Sequence, residues 1–401
     1  MKITDVNAYV VVPDYGLGES VTDGWQWTFV TIDTDEGLQG WGEASNVPRN
    51  GSLLTGNGIR AAREALVGED PRTIEKLWHK LFRRYTYLGS RGFTSAVISG
   101  IDIALWDLLG KALGCPVYDL LGGPVRDSVP VYANAWFAGC RQPDEFAAAA
   151  IATVAEGHDA IKFDPFLEME PFHTAYLDGQ ISAAGEEAGC NAVAAVRNAV
   201  GPGIEILIDA HGHYNVPTAV RLGNRLYDES QIRWFEEPLP PESFVALRNV
   251  REQIRAPICV GERLFTRYEF VPVLEQRLAD YLMPDVVWTG GISELKKIAT
   301  LAESYYVPIS PHNAQGPGQI LAGAHVSMTV PNLYRLEHAI SCKNAYDSFL
   351  QTPLAWRGNT LELGDRPGLG VEINEDAFSD DEYIHWERSS PTRPDGSTGY
   401  I

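Results

Sequence analysis

Polar and apolar residues alternate in a strand-like way through Met1-Lys2-Ile3-Thr4-Asp5-Val6, and strand-like runs follow from Val6 to Val12 and through Trp27-Thr28-Phe29-Val30-Thr31-Ile32. A turn at Asp35-Glu36-Gly37 leads back through Gln39-Gly40-Trp41-Gly42-Glu43, so the chain opens as a β-meander. The period then changes. Val97, Ile101, Ala104, Leu105 and Leu108 fall at i, i+4, i+7, i+8 and i+11, the apolar stripe of a helix that Gly114 and Pro116 stop. Residues 1–125 therefore read as an α+β domain.

From about Val129 strand-like runs alternate with helical ones. The strands are expected at Val131 to Trp136, Ala160 to Phe163, Ile204 to Ala210, Ile232 to Phe235, Ile258 to Gly261, Tyr281 to Met283, Val307 to Ser310 and Leu333 to Leu336. This α/β alternation predicts parallel strands and has the unit length of a (β/α)8-type barrel, here over residues 126–355. An open doubly wound sheet is the competitor, but no G-x-G-x-x-G follows the first strand. After about Leu350 the pattern dissolves. Residues 356–401 form a Gly/Pro-containing segment, Pro367-Gly368-Leu369-Gly370-Val371, and a polar tail expected to be poorly ordered from Ser389.

In a barrel of parallel strands the chemistry lies at the strands' C-terminal ends. Three expected strands close on a carboxylate: Ile206-Leu207-Ile208-Asp209, Trp234-Phe235-Glu236 and Val260-Gly261-Glu262. Neighbouring strands would gather these acids at one rim, an all-oxygen set suited to a hard divalent cation, Mg²⁺ above all. The other ends carry Lys162, His211, Asp285, His312 and Glu337, with His213 the alternative to His211. So much charge desolvated without partners would cost stability, and a cation among the carboxylates would offset it. Such a cation leaves open positions for a substrate carboxylate. Lys162 or His211 on one side and His312 on the other are candidate general acids or bases, with Asp285 fixing the His312 tautomer. The chemistry implied is removal of a proton α to a carboxylate. Two polar, glycine-rich stretches of the first domain, Tyr15 to Ser20 and Asn46 to Gly58, read as lid loops; Tyr15, Glu19, Trp25 and Asp164 are the candidate substrate contacts.

Composition narrows the class. With 401 residues, 45% of them hydrophobic, the chain can bury a large core in more than one domain. The formal net charge of −21 argues against a nucleic-acid partner, and no apolar run is long enough for a membrane span. The N-terminus lacks the apolar core of a signal peptide, so a cytoplasmic location is expected. Of 32 basic residues 24 are Arg, a balance that fits either an ordinary acidic cytosolic enzyme or a protein of a high-salt cytoplasm. Five scattered Cys without C-x-x-C spacing read as reduced structural thiols.

The motifs at these strand ends resemble the enolase superfamily, specifically its mandelate racemase-like sugar-acid dehydratases. Gly100-Ile101-Asp102-Ile103-Ala104-Leu105-Trp106-Asp107 is similar to the family's first helix, Trp234-Phe235-Glu236-Glu237-Pro238 to its fourth barrel strand, and Gly261-Glu262-Arg263 to its fifth. Asp209-Ala210-His211-Gly212 resembles the D-x-H-G of aldonate dehydratases, and Ile161-Lys162-Phe163-Asp164-Pro165-Phe166 the second strand of gluconate dehydratase-like proteins. Asp164 stands where family racemases and epimerases commonly have a second Lys, which weakens an epimerase reading. The resemblance implies an α+β capping domain completed by the C-terminal segment around Pro367-Gly368-Leu369-Gly370. It further implies Mg²⁺ on Asp209, Glu236 and Glu262, a His312–Asp285 dyad, Glu337 as the eighth-strand acid, a small sugar acid as partner, and a homo-oligomer. Gluconate, galactonate, xylonate and arabonate stay open as substrates, with a racemase or epimerase, or a non-catalytic sugar-acid binder, as alternatives.

Overall fold

Trp27, Phe29, Val30 and Ile32 are all buried, which a strand covered on one face alone would not allow. The computed structural model of the protein describes residues 1–13, 26–45, 49–166 and 179–378. In it β1 (Ile3–Val11), β2 (Trp27–Thr34) and β3 (Gln39–Glu43) form an antiparallel sheet in that order. The period of two divides β2 between two cores. Trp27 and Phe29 meet Phe349, and Phe29 stacks on Phe378. Val30 and Ile32 instead join Val97, Ile101, Ala104, Leu105 and Leu108 of the helix Phe93–Leu113, which ends at a left-handed Gly114.

The glycine and polar content of residues 46–58 predicts a loop; residues 49–58 instead begin the helix Arg49–Leu66. A Cβ on Gly58 would lie 2.6 Å from Val97 Cγ2, so this glycine serves helix packing rather than a lid. Residues 46–48, and with them Tyr15, Glu19, Trp25 and the stretch Tyr15 to Ser20, lie outside the described residues.

Six parallel strands follow in order: β4 (Val129–Asn134), β5 (Ala160–Phe163), β6 (Glu205–Asp209), β7 (Trp234–Glu236), β8 (Ile258–Val260) and β9 (Tyr281–Leu282). Single bridges, Leu282↔Ile309 and Ile309↔Leu333, carry the pairing on to β10 (Leu336–Ala339), which pairs with β4. The seventh strand expected at Val307 to Ser310 is reduced to these bridges because Pro308 and Pro311 lack the N–H donors a ladder needs. The eighth begins at Leu336, not Leu333, so Glu337 and His338 lie inside it on opposite faces. Glu337 turns toward Lys162, whereas His338 stacks on Trp356 with ring centroids 3.9 Å apart.

The C-terminal segment first adds a hairpin, β11 (Ala355–Arg357) and β12 (Thr360–Glu362), antiparallel to the start of β4. It then crosses the first domain, where Leu369 N–H donates to buried Asp107 (2.8 Å) and Trp41 Nε1 to the Val371 carbonyl (2.9 Å). Among the described residues no helix is long and apolar enough to cross a membrane.

Glu43, at the end of β3, ties the first domain to the barrel. Its carboxyl accepts the N–H groups of Gly316 (2.8 Å), Gly318 (2.8 Å) and Gln319 (3.0 Å) at the start of the helix Pro317–Met328, as well as the Ser45 hydroxyl. Burial pushes this carboxyl from 4.5 up to about 7 against the pull of those donors. A carboxyl whose folded pKa lies above its unfolded one takes up a proton on folding, so its contribution to stability is full below pH 4.5 and is lost as pH rises through about 7. Glu43→Gln is therefore expected to flatten the fall in stability between those pH values, a difference on the order of 3 kcal/mol. Urea midpoints at three pH values read this directly; parallel curves for the two proteins would refute it.

Candidate active site

The parallel register places Asp209 opposite Glu236, so two adjacent strands end level in carboxylates, and Glu262 follows two residues beyond β8. All three are buried, and one oxygen from each lies within 4.8 Å of the others. Directly after the first two strands the backbone turns through left-handed residues, His211 (φ 48°) and Glu237 (φ 42°), a conformation uncommon outside glycine. His211 N–H donates to Asp209 Oδ1 (2.9 Å), which holds that turn. Glu237 in turn accepts the Gly261 N–H (2.8 Å) and fixes the approach to Glu262.

Lys162, on β5, is buried among the acids. Its ammonium lies 3.2 Å from Asp209 and 2.9 Å from Glu337 and also pairs with Glu236. Burial alone would lower its pKa, but Glu236, Glu337 and Asp209 outweigh it and hold the amine well above its ordinary range, as a cation. Glu236 is pushed well up by burial and by the Asp209 charge, even with Lys162 beside it, and also accepts from Trp234 Nε1 (2.9 Å). Glu337 accepts from Asn134 Nδ2 (2.6 Å) and the Asn313 N–H (3.2 Å), so its oxygens are engaged as acceptors.

Two imidazoles flank the carboxylates. His312 Nδ1 is 2.6 Å from Asp285 Oδ2, which also accepts from Gln319 Nε2 (2.7 Å), while Asp285 Oδ1 accepts the Val287 N–H. A carboxylate engaged in this way can only accept, which puts the proton on Nδ1 and turns Nε2 to Glu262 (3.3 Å). Burial opposes charge on His312, but Glu337, Glu262 and Asp285 outweigh it and raise its pKa to about 9. On the other side His211 Nδ1 is 2.8 Å from Asp164 Oδ2, and His211 Nε2 is 3.6 Å from Asp209. His211 is also raised, with burial opposing and Asp209 and Asp164 favouring its charged form. The site is thus two His–Asp pairs on opposite sides of a three-carboxylate cluster, each with Nε2 toward one of its acids.

The candidate residues Lys162, Asp209, His211, Glu236, Glu262, Asp285, His312 and Glu337 are brought together here. Asp164, expected as a substrate contact, has Oδ2 on His211 and Oδ1 on the Phe166 N–H (2.8 Å); it orients the imidazole. The signal for this pairing lay in the offsets, Lys162-x-Asp164 on one strand beside Asp209-x-His211 on the next. Asn134 and Gln319 were missed. Asn134 is the polar end of the first strand, which a search for ionisable ends passes over. The Trp288 ring lies 5.3 Å from that of His312 and walls this side.

Three buried carboxylates with single oxygens converging are a hard, all-oxygen donor set for a divalent cation of the Mg²⁺ type. The residues present therefore fit such an ion.

Residues 145–377 match the family described as enolase C-terminal domain-like, and residues 19–122 the mandelate racemase/muconate lactonizing enzyme N-terminal domain. The chain is similar to a D-gluconate dehydratase of Thermoproteus tenax, 38% identical over 371 residues that cover 90% of this chain and 71% of that one. It is also similar to a D-galactonate dehydratase of Ralstonia nicotianae, 35% identical over 381 residues, 94% and 93% of the two chains. A solved mandelate racemase/muconate lactonizing enzyme-like protein from Rubrobacter xylanophilus superposes with a TM-score of 0.84 at 34% identity, covering 94% of this chain and 96% of that one. With a capping sheet, a parallel barrel and acids at its third, fourth and fifth strand ends, the chain belongs to the enolase superfamily.

Proposed function

We propose that the protein is a hydro-lyase that converts a sugar acid, an aldonate such as gluconate, galactonate, xylonate or arabonate, to its 2-keto-3-deoxy acid. The observation that carries this reading is the pair of His–Asp dyads on opposite sides of the Asp209–Glu236–Glu262 cluster. Loss of water across two adjacent carbons needs a base for the C2 proton and an acid for the C3 hydroxyl, and two separated imidazoles supply them. The names of the dehydratase relatives support the same reaction.

Asp209, Glu236 and Glu262 would hold the divalent cation, Mg²⁺ foremost, which when bound supplies positive charge against which the substrate's negative charge can grow. The protein's own groups divide the rest. Lys162, ion-paired with Asp209, Glu236 and Glu337, is placed to bind the substrate carboxylate by charge. His211, oriented by Asp164, removes the C2 proton once its Nε2 is neutral, a state that a cation on Asp209 would favour by offsetting the carboxylate charge that raises it. His312, charged beside Asp285, gives its Nε2 proton to the departing C3 hydroxyl, which leaves as water, and the resulting enol tautomerises to the 2-keto acid.

The test is a panel of acid sugars with Mg²⁺ in ²H₂O, following keto-acid formation and deuterium at C2. Keto acid from at least one aldonate is expected. Exchange at C2 without keto acid would instead identify a racemase or epimerase, and binding without either would identify a sugar-acid binder.

A further inference from the structure

The His312–Asp285 dyad does not stand on its own strands alone. Gln319, the third residue of the helix Pro317–Met328, is fully buried, and every hydrogen bond found for its side chain is directed at the dyad or at the loop after His312. Nε2 donates to Asp285 Oδ2 (2.7 Å), and Oε1 accepts the N–H groups of Ala314 (3.1 Å) and Gln315 (2.7 Å). One amide thus fixes both the carboxylate that orients the imidazole and the backbone that directly follows the imidazole. The start of that helix is in turn set by a residue of the other domain. Glu43 accepts three backbone N–H groups there, including Gln319's own. The approach is close enough to require glycine, since a Cβ on Gly316 would lie 2.6 Å from Glu43 Oε2 and one on Gly318 2.7 Å from Glu43 Cβ.

We propose that Gln319 is a positioning residue for His312, and that Glu43 of the capping sheet sets it in place, so that the capping domain governs the half-reaction His312 performs. This rests on the two-dyad reading of the site. The geometry gives the physical cause. Without the Nε2 donor, Asp285 loses one of its buried partners and keeps only the Val287 N–H on Oδ1 beside the imidazole, so Oδ2 and the imidazole it directs are held less firmly. Asp164, like Asp285, is also held by its own loop, through the Phe166 N–H as Asp285 is through the Val287 N–H.

The experiment compares wild type, His312→Asn, Gln319→Leu and Glu43→Gln in two readouts. In the first, keto-acid formation and C2 deuterium exchange are followed separately with an aldonate that the wild type accepts. Whichever step His312→Asn removes should be slowed about 10- to 100-fold in Gln319→Leu with KM little changed, and less in Glu43→Gln, while the other step persists. In the second, which needs no turnover, the downfield proton resonance of the His312 Nδ1–H is identified by its loss in His312→Asn. It should move or vanish in Gln319→Leu. Equal slowing of both steps, or an unmoved resonance in Gln319→Leu, would overturn the proposal. A wild type that dehydrates no aldonate would sink the functional reading alone, and the resonance would then decide the positioning role.

Discussion

His312→Asn should abolish keto-acid formation while leaving the divalent cation bound. Asn can keep a hydrogen bond to Asp285 in place of Nδ1 but has no proton to give at the Nε2 position, so the leaving hydroxyl loses its acid. General acid–base groups contribute about 10²- to 10⁴-fold to rate, and a loss at least that large is expected. Glu337, Glu262 and Asp285 raise the imidazole to about 9, which favours the protonated form that an acid needs. If it acts only on the hydroxyl, deuterium should still enter C2 in the variant, delivered through His211. Exchange lost in His312→Asn and retained in His211→Asn would reverse the two roles. Wild-type turnover in His312→Asn would remove His312 from the mechanism.

Removing one oxygen ligand should be as damaging, by a different route. Glu236→Gln replaces a proposed oxygen ligand that sits between Lys162 and the Trp234 indole. Mg²⁺ added to the wild type should raise its thermal midpoint by a few degrees, since a ligand at 100 times its Kd stabilises by about 2.7 kcal/mol. That rise should vanish in Glu236→Gln together with activity, and chelation of the wild type should reproduce the loss of activity. His312→Asn, by contrast, should keep the Mg²⁺-dependent rise, which separates the acid from the ligand set. Undiminished turnover in a chelated, metal-free preparation would sink the metal assignment.

The barrel was legible because its signal repeats. A parallel strand buried on both faces reads as a short apolar run, and runs ending in Asp209 and Glu236 recur at one spacing. The carboxylates come level because hydrogen-bond register aligns such ends. Legibility failed where local chemistry opposed the pattern. Pro308 and Pro311 reduced the seventh strand to bridges, and the eighth began three residues later than the apolar residues suggested. Glycine misled between residues 49 and 58, where it marks close packing against Val97 within a helix and not a loop.

The list of ionisable residues at the barrel rim, the all-oxygen character of the ligand set and the alternation of strands and helices can be read along the chain, since each depends on a residue's type and its place in a local period. The division of those residues into working pairs cannot. That Asp164 turns to His211, that Lys162 is locked among three acids, and that Glu43 reaches Asp285 through Gln319 all depend on distances between segments remote in sequence, 273 residues apart between Glu43 and Gly316. A one-residue slip would leave the composition of every strand unchanged and turn each of these side chains to the other face. Only the closed barrel, with the capping sheet seated on it, determines which carboxylate each base meets.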